Sequence, residues 1–439
     1  MHVEIIIQVD GRTVATVKQE MTGAAFDQEH QVERLEHRVG CVLLEQGLQE
    51  LADAAIQPSC CGRAMKNCGP EAIHVQTMSG KIYLRRRRYR CRVCGCSQHP
   101  ADVAILFGGH RLTKLVAQRV CQLATVEHFT RLEQLMADQH GIAVGHEEML
   151  ELAHQAGGAA EAARREDVES WRERRRPSED WPKPEFQPER IYVSCDGIMY
   201  CTNLREPDPE HPGQQRLIWQ QMKVGCVYWQ DSSEVWRKRM IWGRDSPEDF
   251  GAMLYRLACE CGYREAREKI FAADGGEWCW DIAARYFSHA SQVLDWYHAN
   301  QNLWQAAATL FRSIVPSRTW AREAESVLWN GGGKKLVAWL KKQQTRRRWR
   351  GRARHAWKGL LRYFELRIDQ TDYPAYRRKD WQIGTGMIES TAKQLVGLRL
   401  KGPGMHWSET GALAVTALRA TDLNGCWNNF WTKLTISAA

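Results

Sequence analysis

Two short β-type segments in the middle of the chain are each followed at once by Asp-Gly. Residues 191–195 precede Asp196, and residues 269–273 precede Asp274. A segment with helical spacing, 247–262, lies between them. This alternation predicts an α/β sheet, in which ligand-binding groups gather at neighbouring strand ends. A single Asp-Gly is more often a plain turn, but two of them after β segments predict a pair of carboxylates at one edge of a sheet.

A third acid, Glu389, follows the glycine-rich stretch 384–386. We expect a helix to begin there and to carry Glu389 and Lys393 on one face. Three carboxylates can hold two Mg²⁺ ions, which prefer oxygen ligands. Such a metal pair activates the attacking oxygen of a phosphodiester reaction and stabilises the leaving oxygen. Spacing alone does not identify Glu389 as the partner of Asp196 and Asp274.

Six of the 15 cysteines lie within residues 58–100. Cys91 and Cys94 form a C-x-x-C pair, and the segment that separates them from the earlier cysteines alternates like a β-hairpin. Two such cysteine groups are typical of a zinc ribbon, because thiolates bind Zn²⁺ tetrahedrally. The favoured zinc ligands are Cys60, Cys61, Cys91 and Cys94, and the other candidates for the fourth position are Cys68 and Cys96. The alternative is a set of reduced cysteines without metal.

The formal charge of +9 is concentrated in three basic runs. The first run consists of Arg85, Arg86, Arg87 and Arg88, and the others span 172–176 and 341–354. Basic runs of this kind fit contacts with a phosphate backbone. One run alone would be a solvated face, but three runs beside a zinc ribbon favour nucleic acid.

The segment 389–407 reads Glu-Ser-Thr-Ala-Lys-Gln-Leu-Val-Gly-Leu-Arg-Leu-Lys-Gly-Pro-Gly-Met-His-Trp. It resembles the C-terminal signature of ISKra-type insertion-sequence transposases, which belong to the DDE transposase group. Asp295-x-x-His298 resembles a motif of the Mutator and hAT groups. The resemblance implies an α/β, RNase H-like mixed sheet core with a long helical insertion. Pro58 stands where similar transposases have the first cysteine of their ribbon.

The resemblance assigns Asp196, Asp274 and Glu389 as the catalytic, Mg²⁺- or Mn²⁺-binding acids. It places further residues beside the DNA: His298, Lys393, Arg399, Lys401, His406 and Trp407. His298 and Trp407 have an alternative interpretation as core residues. An arginine hairpin on the ribbon would suit DNA at the element ends.

We therefore expect seven segments. They are N-terminal strands and a helix (1–57), a zinc ribbon (58–100), a helical region with a possible helix-turn-helix (101–156), a linker (157–189), the first part of the catalytic core (190–298), a helical insertion (299–383) and the last part of the core (384–439).

The expected function is that of a DNA transposase of a mobile element, which binds terminal inverted repeats and target DNA and catalyses strand cleavage and strand transfer. Such enzymes act as dimers or larger oligomers. The alternatives are a transposase-derived DNA-binding protein without catalysis and a metal-dependent nuclease that does not rejoin. No signal peptide or membrane-length apolar run is evident, so we expect a cytoplasmic, nucleoid-associated bacterial protein without membrane contact.

Overall fold

The chain forms a mixed α/β fold divided between two units, and the chain leaves the first unit and later returns to it. The computed structural model describes residues 1–173, 184, 186–274, 276–346 and 349–436. The first unit comprises Met1–Ala162 together with Thr410–Ala439, and the second comprises Ala163–Glu409.

The N-terminal part of the chain begins with small sheets and continues with helices. Its elements are β1 (His2–Val9), β2 (Arg12–Glu20), α1 (Ala25–Asp53), β3 (Ser59–Cys60), β4 (Arg63–Ala64), β5 (Lys66–Thr77), β6 (Gly80–Arg90), β7 (Ser97–Gln98), α2 (Asp102–Ile105), α3 (Lys114–Ala124), α4 (Phe129–His140) and α5 (His146–Glu173). The pairs β1-β2 and β3-β4 form separate hairpins, and β5, β6 and β7 form a three-stranded sheet in that order.

The β5-β6 hairpin packs against α1. Apolar side chains alternate along the two strands, so that Ile73, Val75, Ile82 and Leu84 face one side. They are buried together with Ala52 of α1. The hairpin expected between the two cysteine groups is therefore present, and α1 covers its apolar face.

Helix α5 includes part of the segment that the sequence analysis assigned to a linker. The linker was expected over 157–189, but the helix continues to Glu173, and residues 174–183 and 185 lie outside the described residues. Gly157 is required in this helix because a Cβ there would lie 2.3 Å from the backbone oxygen of Ala414. The Gly157-Gly158 pair thus marks a close packing contact.

The second unit contains a five-stranded sheet and most of the remaining helices. Its elements are β8 (Arg190–Pro207), β9 (Gln215–Gln230), β10 (Trp236–Gly243), α6 (Pro247–Glu260), β11 (Glu268–Ala273), α7 (Glu277–Tyr286), β12 (Ser291–Leu294), α8 (Trp296–Leu310), α9 (Ile314–Arg346), α10 (Gly351–Glu365), α11 (Tyr373–Arg378), α12 (Gly386–Ala392), a π-helical segment (Lys393–Gly397) and α13 (Leu398–Leu400).

The strand order in this sheet is β10-β9-β8-β11-β12. The first three strands pair antiparallel, whereas β11 pairs parallel with both β8 and β12. The sequence analysis expected the strand before Asp196 to end there, and that expectation was wrong. Strand β8 continues to Pro207 because β9 remains paired with it, and only its pairing with β11 stops near Ser194.

The two faces of the sheet are covered by different segments. Val193 and Cys195 of β8 are buried in a cluster with Phe250 of α6 and Ile282 of α7. On the other face, α12 packs against β8 and β9. The hydroxyl of Thr391 in α12 lies 3.5 Å from Cys226 Sγ of β9. The helix that carries Glu389 is thus fixed on the sheet.

The segment between β12 and α12 is helical, as expected. Helices α8, α9 and α10 pack on one another, and α9 has a kink at Gly332, where φ is 71°. Positive φ favours glycine. Among the described residues, no helix combines the length and apolarity that crossing a bilayer requires.

Two helices follow the second unit, α14 (Glu409–Leu423) and α15 (Trp427–Lys433). Leu418, Trp427 and Trp431 are buried in one cluster with residues of α3, α4 and α5. The Nζ of Lys114 in α3 donates a hydrogen bond to the backbone oxygen of Leu434, at 2.7 Å. The C-terminal helices therefore complete the core of the first unit.

Candidate active site and metal centre

Three aspartates occupy equivalent positions on three adjacent strands. Ala272 of β11 is paired with Ser194 of β8. Asp274 lies two residues after Ala272, and Asp196 lies two residues after Ser194, so the two aspartates are at equivalent positions. Ala273 is paired with Leu294 of β12. Asp274 directly follows Ala273 and Asp295 directly follows Leu294, so these two aspartates also correspond. The parallel register alone therefore places three carboxylates in a row along one edge.

Asp196, on β8, lies at one end of this row, next to Asp274 after β11. Its Oδ1 accepts a hydrogen bond from the Gly197 amide at 2.6 Å. Burial, together with the negative charges of Asp274 and Glu389, raises the pKa of Asp196 to about 6, although the Gly197 amide and His298 oppose this shift. The charges of Asp274 and Glu389 thus act on Asp196, which places the three carboxylates in one another's neighbourhood.

Asp274 lies between β11 and α7, as the sequence predicted. Its Oδ1 accepts a hydrogen bond from the Gly276 amide at 3.1 Å. The side chain is only partly buried, in contrast to the fully buried Ala273 before it. The carboxylate is thus held at the strand end with part of its surface accessible.

Asp295 was not among the predicted site residues, although it too follows a β segment. It is fully buried at the start of α8, where its Oδ1 accepts from the Tyr297 amide at 2.8 Å. Its Oδ2 lies 2.6 Å from both His298 Nδ1 and the Thr385 hydroxyl. Three groups therefore satisfy this buried carboxylate.

Glu389 joins the same network. Its Oε1 lies 3.1 Å from the Thr385 hydroxyl, and ligand atoms of Asp295, His298 and Glu389 all lie within 4.8 Å of one another. Burial lowers the pKa of His298, but the hydrogen bond to Asp295 and the charges of Asp274 and Glu389 outweigh it, and the net shift is upward. The expected acids Asp196, Asp274 and Glu389 are thus gathered with a histidine and a fourth acid.

The residues expected beside DNA divide into two groups. Lys393, Lys401 and His406 are exposed, and the side chain of His298 is 39% exposed. In contrast, Arg399 and Trp407 are 2% and 8% exposed. The Arg399 guanidinium lies 4.8 Å from the centre of the Trp407 ring. The expectation of DNA contact does not fit these two side chains, which form a buried cation–π pair.

Four thiols converge in the N-terminal unit, and they are those of Cys60, Cys91, Cys94 and Cys96. The Sγ of Cys60 lies 3.6 Å from those of both Cys94 and Cys96. Thiolates about 2.3 Å from one tetrahedral Zn²⁺ lie roughly 3.8 Å apart. The four sulfur atoms therefore fit zinc in both number and spacing.

The backbone of residues 91–96 forms the second knuckle of this cluster. The Cys91 amide donates to the backbone oxygen of Cys96 at 2.9 Å, and the Val93 amide donates to Cys91 Sγ at 3.4 Å. The hydrogen bond from the Cys96 amide, together with hydrogen bonds from the thiols of Cys96, Cys91 and Cys60, lowers the pKa of Cys94 to about 6. A thiol that ionises near neutral pH is a ready metal ligand.

The cluster contains three of the four favoured zinc ligands. Cys96 replaces Cys61, whose Sγ lies 3.8 Å from Cys60 Sγ but outside the group of four. Cys68 is exposed, and its thiol contacts the backbone oxygen of Lys66. The short Cys94-x-Cys96 spacing was the available signal for Cys96.

The basic runs differ in how far they are accessible. On β6, Arg85, Arg87 and Arg88 are exposed. Arg86 is buried and forms an ion pair with Asp102, so it is a structural residue. Residues 174–176 and 347–348 of the other runs lie outside the described residues.

The chain was compared with known families, curated sequences and solved structures. No family model matches the chain, and no curated protein matches its sequence. The chain is similar to the "Drosophila P element transposase strand transfer complex", with 8% identity and a TM-score of 0.25 over 74% of this chain and 82% of that one.

Proposed function

We propose that this chain is a DNA transposase of the DDE type, from an ISKra-type insertion sequence. The observation that carries the proposal is the placement of Asp196 and Asp274 at equivalent positions of neighbouring strands, where the charges of Asp274 and Glu389 both raise the pKa of Asp196. Carboxylates gathered at neighbouring strand ends are suited to Mg²⁺ or Mn²⁺.

The order of the elements supports an RNase H-like core. Three antiparallel strands come first, two parallel strands follow, and α6 and α7 lie between them in the chain. The helical block α8–α11 then separates Asp295 from Glu389, as the insertion of such a core would. The signature at 389–407 supplies the ISKra-type assignment.

The chain's own residues would position the reacting groups. Asp196, Asp274 and Glu389 would hold the divalent ions, which activate the attacking oxygen and stabilise the leaving oxygen when they are bound. The Gly197 amide fixes the carboxylate of Asp196. Asp295 fixes the ring of His298 through Nδ1 and leaves Nε2 for a contact with substrate. Hydrolysis would free a 3′-hydroxyl, which would then attack target DNA in line.

DNA would be bound outside this carboxylate site as well. The zinc ribbon presents Arg85, Arg87 and Arg88, and the possible helix-turn-helix of α4 and α5 lies in the same unit. Lys393 and Lys401 are exposed near the signature. Element ends and target DNA would be joined by a dimer or larger oligomer, since two ends must meet.

The proposal is tested with DNA from the flanks of the coding sequence. Purified protein is incubated with end-containing duplexes and Mg²⁺, and both cleavage and joining to a target plasmid are measured. Asp196→Asn, Asp274→Asn and Glu389→Gln are each expected to lower the rates of both steps by at least about 10³-fold, because each removes a carboxylate that would hold the divalent ions that stabilise the charged transition state. Binding of the end DNA should change little.

Asp281→Asn is the matched control, because Asp281 is an exposed acid on α7. Cleavage without joining, even from a pre-cut end, would indicate a nuclease instead. Specific binding without cleavage by the wild type would indicate a DNA-binding protein. Full activity in any of the three variants would remove that residue from the site.

Neighbouring arginines of β6 are expected to differ in their roles. Arg86→Gln should lower the free energy of unfolding by roughly 1–3 kcal/mol, because it leaves Asp102 without its partner. Arg87→Gln should leave stability unchanged and reduce the salt dependence of DNA binding by the equivalent of about one phosphate contact. Urea unfolding and salt titrations measure the two effects. Equal loss of stability in both variants would contradict the assignment of Arg86, but not Arg87, as a structural residue.

A further inference from the structure

An aromatic side chain stands exposed between two residues of the carboxylate network. Tyr297 lies between Asp295 and His298 in the first turn of α8, and it is 70% exposed. Its neighbour Trp296 is 8% exposed. A single exposed aromatic residue needs no explanation by itself, but this one lies directly beside the candidate active site.

The position of the Tyr297 ring is fixed by its surroundings. The Tyr297 amide donates to Asp295 Oδ1 at 2.8 Å. At Gly384, a Cβ would lie 3.0 Å from Tyr297 Cε2 and 3.2 Å from Cδ2. Glycine at 384 therefore lets the ring approach the backbone that leads to Thr385 and Glu389. The ring is supported from that side while most of the residue remains exposed.

We propose that Tyr297 is a stacking platform for an unpaired nucleobase next to the scissile phosphate. This inference rests on the proposed function. Aromatic rings bind bases by stacking, at about 1–3 kcal/mol per base and with little sequence preference. A base is uncharged, so it fits beside Asp274, Asp295 and Glu389, where a second phosphate would be repelled. Trp407, for which the sequence left both a DNA contact and a core position open, is buried.

The test is photo-crosslinking with the full-length chain. The probes are flank-derived duplexes with a single-stranded overhang that carries iododeoxyuridine, with Ca²⁺ in place of Mg²⁺. We expect irradiation to give an adduct that mass spectrometry maps to Tyr297. Tyr297→Phe should retain the adduct, because the ring remains, and Tyr297→Ala should lose it. Adducts that form only at other residues would overturn the proposal.

Affinity for the same probe gives a second measure. Tyr297→Ala should weaken binding about 5- to 150-fold, as the stacking energy implies, and Tyr297→Phe should restore it. Phe26→Ala is the control, because Phe26 is also 70% exposed but lies in α1. Unchanged affinity in Tyr297→Ala would overturn the stacking proposal alone, whereas failure of the wild type to bind the duplex would contradict the proposed function.

Discussion

Asp196→Asn is expected to stabilise the folded protein at neutral pH while abolishing the proposed metal-dependent reaction. Burial and the nearby acids raise the pKa of Asp196 from 3.8 to about 6. Ionised Asp196 therefore costs the folded state roughly 3 kcal/mol at pH 7.5, since each pKa unit corresponds to about 1.36 kcal/mol. Asparagine removes this charge, and its amide oxygen can still accept from Gly197.

The pH dependence follows from the direction of that shift. The folded state binds the proton of Asp196 more tightly than the unfolded state does, so lowering the pH through 6 stabilises the wild type. The advantage of Asp196→Asn should be full above pH 6, shrink between pH 6 and 4, and vanish below about pH 4. Urea unfolding of both proteins at pH 7.5 and 4.5 measures this difference.

Divalent ions provide the complementary measurement. Added Mg²⁺ should raise the melting temperature of the wild type, because a ligand that binds only the folded state stabilises it, and should have little effect on Asp196→Asn. Asp281→Asn should behave like the wild type in both experiments. An Asp196→Asn variant that is less stable than the wild type at pH 7.5 would contradict the raised pKa of Asp196 and the repulsion by Asp274 and Glu389.

Removal of zinc should have the largest structural effect in the N-terminal unit. Coordination by Cys60, Cys91, Cys94 and Cys96 would contribute on the order of 10 kcal/mol to folding of the short β3-β4 and β6-β7 pairings. A strong chelator, or Cys94→Ser, should therefore expose the amides of residues 59–64 and 91–98 to rapid hydrogen exchange. Zinc content measured by mass spectrometry should fall from one ion per chain to nearly none.

Cys68→Ser is the matched control, because Cys68 is exposed and lies outside the group of four. The single variants Cys61→Ser and Cys96→Ser are compared with each other. They distinguish the ligand set predicted from the sequence, which includes Cys61, from the set in the structure, which includes Cys96. Loss of zinc in Cys61→Ser but not in Cys96→Ser would favour the sequence-based set. Normal exchange rates after complete zinc removal would show that the metal is not structural.

Much of the five-stranded sheet could be predicted because its signals are local. The β segments before Asp196 and Asp274 are short apolar runs, and each is a strand. Asp295 follows a β segment in the same way, so the same reasoning would have found it. The continuation of β8 beyond Asp196 could not be predicted, since it depends on pairing with β9 across the chain.

Residues that depend on distant contacts were harder to predict. Gly157 suggested a linker, but its small size serves an approach to Ala414 that the sequence does not reveal. The family resemblance placed Arg399 beside the DNA, whereas folding places its guanidinium over the ring of Trp407. The choice of Cys96 over Cys61 depends on backbone geometry within residues 91–96.

The return of the chain to its first unit has a consequence for biosynthesis. Helices α14 and α15 supply Leu418, Trp427 and Trp431 to the core that α3, α4 and α5 begin. The ribosome therefore completes the second unit before the cluster that α3, α4 and α5 share with the C-terminal helices can be fully buried. A nascent chain interrupted near residue 409 would present that core to solvent, where chaperones and proteases recognise it.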